Sequence, residues 1–166
     1  MEARTVYFRE NFFSSGETEI LDEAQRQVGR LDLHSMFHSG VTVYSSGGLA
    51  SYSGKFRFFS NKWFVYSGNE QEMGVLRSRI SFLSQRYEYD SFRHGIFTIE
   101  APAFSKDYTV VAPNGQVAAE FRRISHFFAS GAFELTNHSG LQMQELIVVV
   151  MGVHAIRKRK QSSANT

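Results

Sequence analysis

Cysteine is absent from the 166 residues. That excludes a disulfide framework, thiolate metal ligands and a cysteine nucleophile, and it fits a cytoplasmic protein. The opening "MEARTVYFRENFF" is charged throughout and holds no continuous apolar stretch, so no signal peptide is expected. A long hydrophobic run is also missing. The most apolar block, Leu146 to Ile156, falls well short of the roughly 20 residues a spanning helix needs, and His154 interrupts it. Any membrane contact is therefore expected to be peripheral, not transmembrane. Charge of one sign is lacking too: eighteen Lys and Arg face sixteen Asp and Glu, for a net +2. Four of those cations are Arg157, Lys158, Arg159 and Lys160; without them fourteen would face sixteen. The basic pI of about 9.0 is thus a property of the tail. Nucleic-acid binding, which needs Lys and Arg clustered across a face, is not expected.

Catalytic signatures are equally scarce. "GGLASYSGKF" has the wrong glycine spacing for a phosphate loop, and Phe56 stands where a Ser or Thr is required. No GxSxG and no paired carboxylates stand out. His34 and His38 have a spacing that suits a metal on a helix, but "HSMFHSG" reads as a loop and no Glu accompanies it. His94, His126, His138 and His154 are scattered singly. No enzyme activity, cofactor or metal is expected.

What the sequence has is aromatic content and alternation. Aromatic residues make up 14%, with sixteen Phe and seven Tyr, beside 42% hydrophobic and 20% charged residues. Such a chain builds a core, and its aromatics suit the half-buried faces of strands. "TVYFREN", "VTVYSS", "KFRFFS", "KWFVYS", "YEYDS", "IFTIEA", "YTVVA", "VAAEFRRI" and "AFELTN" alternate with a period of two and read as strands. Between the segments stand "SSGE", "DEAQ", "SSGG", "SGNE", "APNG" and "ASG", which read as hairpin connections. The thirteen Gly suit so many turns. A loose repeat is visible: Gln27 to Leu33, Met73 to Ile80 and Gln116 to Ile124 each follow a strand and a short polar turn. The spacing approaches that of repeat arrays, but no signature recurs. A closed barrel of hairpins explains the pattern better than a solenoid, since closure removes exposed edges.

The closing stretch "LIVVVMGVHAIRKRK" is rich in β-branched residues and is legible either as a buried strand or as a helix. Three features favour the helix. Ser139 and Gln142 have capping-box spacing, the run from Leu141 to Arg157 is long for a strand, and cations gather where a helix C-terminus favours them. Gly152 costs about 1 kcal/mol relative to Ala in a helix but allows a close approach to a wall. A helix apolar on every side must be surrounded. The expected architecture is one domain over residues 1–157: about twelve antiparallel strands closed into a β-barrel around a central hydrophobic C-terminal helix at about 141–157. Residues 158–166 are expected to form a basic, disordered tail.

This arrangement resembles the tubby C-terminal-like superfamily, which includes tubby proteins, plant LURP-one-related proteins, phospholipid scramblases and small bacterial relatives. The resemblance covers about residues 4–157. It rests on the strand-rich order ending in "LQMQELIVVVMGVHAI", on the strand–turn–strand unit "VVAPNGQVAAEFRRI", and on "SYSGKFRFFSNKWFVYSG" at Ser51 to Gly68. The last is similar to a tubby segment in which Gly-Lys-apolar-Arg is followed by Lys-aromatic-x-Val-Tyr. The resemblance implies a twelve-stranded barrel around a helix; with no catalytic motif in the sequence, the function expected is that of a non-catalytic binding module. Tubby proteins bind phosphoinositides through basic residues on the barrel. Scramblases carry further Cys-rich sequence that this chain lacks.

The candidate site follows from alternation. If Phe56 and Phe58 face the core, Lys55 and Arg57 share one outer face, with Lys62 near by. Arg77 and Arg79 share a face of the next strand. These five form the candidate site for an anionic headgroup, held by charge-assisted hydrogen bonds. Arg122 and Arg123 point to opposite sides and make a poor common site. The run Arg157, Lys158, Arg159 and Lys160 is a second candidate, for an anionic membrane surface. The expected partner is an anionic phospholipid surface. The alternative is a protein-interaction or structural module with no lipid role.

Overall fold

The computed structural model describes residues 4–10, 12–14, 16–34, 40–79, 85–102, 105–128 and 130–164. Twelve strands close into one antiparallel barrel. In chain order they are β1 Thr5–Arg9, β2 Glu17–Leu21, β3 Gln27–Asp32, β4 Val41–Ser45, β5 Ala50–Phe56, β6 Trp63–Ser67, β7 Glu72–Arg79, β8 Gln85–Ser91, β9 Gly95–Ala101, β10 Tyr108–Val111, β11 Val117–Ile124 and β12 Ala132–Asn137. Each strand from β2 to β11 pairs with the one before and after it. β1 closes the ring, pairing with β12 from Thr5↔Thr136 to Arg9↔Ala132 and with β2 only at Tyr7↔Leu21. Helix α1, Met143–Ala164, follows β12.

Four hairpins share one turn. In Asp22–Arg26, Ser45–Leu49, Ser67–Gln71 and Ala112–Gln116 the first residue's N–H donates to the fifth residue's carbonyl, at 2.8–2.9 Å. The fourth residue's N–H donates back to the first carbonyl at 2.9–3.0 Å. Each fourth residue is left-handed: Gln25 (φ 61°), Gly48 (φ 82°), Glu70 (φ 63°) and Gly115 (φ 86°). This is a type I turn closed by a G1 bulge, and the strand register shifts at each of the four. "DEAQ", "SSGG", "SGNE" and "APNG" are therefore hairpin turns, as read from composition. With the β8–β9 turn they lie at one end of the barrel. Residues 57–62, between β5 and β6, and 105–107, before β10, lie at the other.

Helix α1 enters at the hairpin end and leaves among the longer loops. Leu146, Ile147, Val148, Val149, Val150, Met151, Val153, Ala155 and Ile156 are all at most 3% exposed. Each large buried side chain contributes roughly 1.5–3 kcal/mol, so the helix supplies much of the core. A strand there would have no edge to pair with, because the barrel is closed. A helix satisfies its own backbone groups in a dry interior. Trp63 fixes the docking. Its indole N–H donates to the Val148 carbonyl at 3.2 Å. A Cβ added to Gly54 or to Gly152 would come within 2.4 Å of that indole. The close approach read from Gly152 is made to Trp63 of β6.

Three expectations need correction. The capping box does not form, because the carbonyl of Gln142 already accepts the first helical bond, from the Leu146 N–H at 3.0 Å. Asn137 shapes the entry instead: its amide nitrogen donates to the Leu141 carbonyl at 2.8 Å, and its oxygen accepts from the Ser139 hydroxyl at 2.7 Å. Secondly, the helix does not yield to a disordered tail after Arg157; it continues through Ala164. Residues 157–161 favour helix intrinsically; because the helix runs on, its last turn holds no basic residue, and the cations do not sit at its C-terminus as expected. Residues 165–166 lie outside the described part. Thirdly, "KFRFFS" is not strand throughout. β5 stops at Phe56, and Arg57 to Ser60 form a turn closed by the Ser60 N–H on the Arg57 carbonyl at 3.0 Å.

Candidate functional site

The β5–β6–β7 face carries most of the residues singled out for a headgroup. Lys55 and Phe64 are paired across β5 and β6 and point outward, while Phe56 and Trp63 pair inward. Lys55 Nζ lies 5.3 Å from the centre of the Tyr66 ring. Arg57, just beyond the strand, sits 3.8 Å over the Phe64 ring, donates to the Tyr66 hydroxyl at 3.3 Å, and pairs with Glu72. On β7, Arg77 pairs with Asp90 at 3.9 Å and Arg79 with Glu88 at 2.9 Å. Lys55 and Arg57 thus come together on Tyr66, but the three arginines each already hold a carboxylate. Phe58 does not face the core: it is 88% exposed. Lys62 is exposed in the 57–62 loop, at the barrel's end rather than on this face. Arg122 pairs with Glu120 at 3.7 Å and Arg123 with Glu10.

The barrel end from which α1 emerges gathers the remaining cations. Arg159 donates to the Ser60 carbonyl at 2.9 Å and lies 3.6 Å over the Phe56 ring. Arg157 donates to the Ser105 carbonyl at 2.6 Å and to the Tyr108 hydroxyl at 3.2 Å. These two arginines tie the 57–62 loop and the 105–107 segment to the helix and are half-buried, while Lys158 and Lys160 are exposed. Lys62 and Lys106 are exposed in the two tied loops. Among the described residues no carboxylate pairs with Lys62, Lys106 or Lys160. The same end carries Phe58 and Phe59, 88% and 96% exposed, their rings 4.1 Å apart. Strand periodicity missed this pair by running β5 too far. The legible signal was two adjacent Phe, which breaks strict alternation, followed by Ser60 and Asn61, which favour turns.

Two ionisable groups sit on the helix inside the barrel. Glu145 is 2% exposed and accepts from the Tyr89 hydroxyl at 2.5 Å. Burial raises its pKa above the ordinary carboxyl value, and the Tyr89 hydrogen bond opposes that only in part. His154 shares a 2.9 Å hydrogen bond with the Tyr108 hydroxyl through Nδ1. Burial, then the charges of Arg157 and Lys106, lower its pKa well below the ordinary imidazole value. These groups lie at opposite ends of the helix's buried stretch and form no common site. His34 pairs with Asp32 at 3.3 Å, and His38 lies outside the described residues. Among the described residues no three His, Asp or Glu side chains gather as metal ligands, and no helix is long and apolar enough to cross a membrane.

No protein-family model matches the sequence. No curated protein matches it either. The fold is similar to the X-ray structure of a protein from Arabidopsis thaliana (AT5G01750), with a TM-score of 0.59 over 95% of this chain and 93% of that one. Identity over the match is 10%, so the likeness is one of fold: a barrel threaded by a helix.

Proposed function

We propose that this chain is a tubby-like, non-catalytic binding module that docks on an anionic phospholipid surface with the barrel end from which α1 emerges. One observation carries the reading. The arginines of the barrel face hold carboxylates, whereas Lys62, Lys106 and Lys160 stand exposed at the helix exit. A cation near an anionic lipid surface contributes about 1 kcal/mol, so several at one end give a weak, salt-sensitive and oriented attachment. The resemblance to tubby proteins, which bind phosphoinositides, supports the same class of ligand. Arg157 and Arg159 act here as internal ties that hold the lysine-bearing loops in place.

Charge reversal tests it. K62E/K160E should reduce partitioning onto phosphatidylcholine/phosphatidylserine vesicles about tenfold or more, with an unchanged melting temperature. K55E, on the barrel face, should have a smaller effect. Equal loss from both would return the site to the face. A protein-interaction module is the second reading. Leu49 (75% exposed) and Phe92 (54% exposed) at the hairpin end favour it, and capture of a partner lost in L49S/F92S would support it.

A further inference from the structure

The 57–62 loop has a feature that folding does not explain. Phe58 and Phe59 occupy the two central positions of the Arg57–Ser60 turn, and Phe59 is left-handed at φ 60°. That position favours glycine or asparagine, since a side chain with a Cβ meets the following carbonyl there. Gln25 and Glu70 also adopt positive φ, but they are polar residues in hairpin turns. Phe59 is large, apolar and 96% exposed, so no burial offsets its strain. A strained residue whose side chain does nothing for the core points to a role outside the fold.

The surroundings define that role. The turn is held from behind: the Ser60 carbonyl accepts from Arg159, and the Ser60 hydroxyl accepts from the Lys62 N–H at 3.1 Å. Its two rings therefore project from a fixed base. Arg57 and Arg159 line one hollow with the two rings, and the exposed Lys62 on the loop and Lys160 on the helix carry charge at the same barrel end. Aromatic rings beside long cationic side chains match the layered chemistry of a lipid interface, where rings enter the boundary region and cations stay at the headgroups.

We propose that the Phe58–Phe59 turn inserts into the headgroup–acyl boundary of an anionic phospholipid bilayer as an apolar wedge, with Lys62 and Lys160 on the lipid phosphates. The wedge rests on the docking reading above and gives it a contact point and an orientation: the barrel end down, the hairpins away from the membrane.

Phosphatidylcholine/phosphatidylserine vesicles at moderate salt provide the test. F58S/F59S should lower the partition coefficient roughly tenfold or more and leave a weaker, salt-sensitive remainder. F59G should keep or raise the melting temperature, because glycine relieves the turn, yet bind less well. The emission of F58W should shift to the blue on binding and be quenched by brominated acyl chains. The native Trp63 is fully buried and supplies a constant background. If F58S/F59S and F59G partition like the native chain, F58W is not quenched, and K62E/K160E still weakens binding, insertion is wrong while docking stands. If the native chain binds no vesicle, both proposals fall.

Discussion

At the scale of single residues, the buried carboxylate of Glu145 carries the clearest energetic consequence. Its folded pKa is raised above the ordinary 4.5, so the sign is fixed by linkage. The stabilising contribution of the protonated form is complete below the unfolded value and is lost as pH rises through the folded one. At neutral pH Glu145 is therefore a burden. Glu145→Gln keeps an acceptor for Tyr89 and removes the charge. It is expected to raise the melting temperature at pH 7 by about 2 °C or more, with the gain shrinking toward pH 4. Thermal melts of both proteins across that range check it, and a gain independent of pH would contradict the assignment. None of this was legible in the sequence. Glu145 stands next to an apolar run, and only the placement of Tyr89 on β8 shows that its partner is a phenol rather than a cation. Gly152, by contrast, was legible as a close approach, because glycine in mid-helix has few other justifications.

At the scale of elements, the strands, the four polar turns and the buried helix could be read because each rests on local pattern: period two, turn residues, and an apolar run too short to span a bilayer. The misreadings arose where local pattern stays silent. "KFRFFS" alternates well enough to extend β5, and only the Arg57–Ser60 turn and its tie to Arg159 end the strand. The basic tail reads as disordered in isolation, because its helix is continued from a segment inside the barrel. The shared hairpin geometry yields a prediction of its own. Glu70 occupies the left-handed fourth position of a turn, where Gly48 and Gly115 stand in the equivalent hairpins. An L side chain there costs about 1–2 kcal/mol, and glycine's greater freedom when unfolded takes back part of any gain. Glu70→Gly should thus stabilise the protein by about 0.5–1 kcal/mol, or roughly 2 °C in melting temperature. Denaturant titration would register a higher midpoint with an unchanged slope; a lower midpoint would mean that the Glu70 side chain does something the turn geometry does not reveal.

At the scale of the whole molecule, the two ends of the barrel differ. The hairpin end carries Asp22, Glu23 and Glu70 in its turns, while the other end carries the helix terminus, the two tied loops and the Phe58–Phe59 turn. The sequence placed the positive charge in the tail but not its neighbours. Lys62, Lys106 and Lys160 are far apart in the chain, and only closure of the barrel around α1 brings them to one end. Strand alternation points to the face of Lys55, Arg57, Arg77 and Arg79 but cannot reveal the acidic residues of adjacent strands. Once Glu72, Asp90 and Glu88 are in place, the three arginines of that face are held in ion pairs, each worth little in water, and Lys55 lies beside the Tyr66 ring. The helix exit is where the exposed Lys62, Lys106 and Lys160, which pair with no carboxylate among the described residues, coincide with exposed aromatic surface. The most direct test is co-sedimentation of the full chain with neutral and with anionic phospholipid vesicles, at low and at moderate salt. The account predicts pelleting with anionic vesicles alone, weakened but not abolished by salt. Absence of pelleting with anionic vesicles at low salt would contradict it.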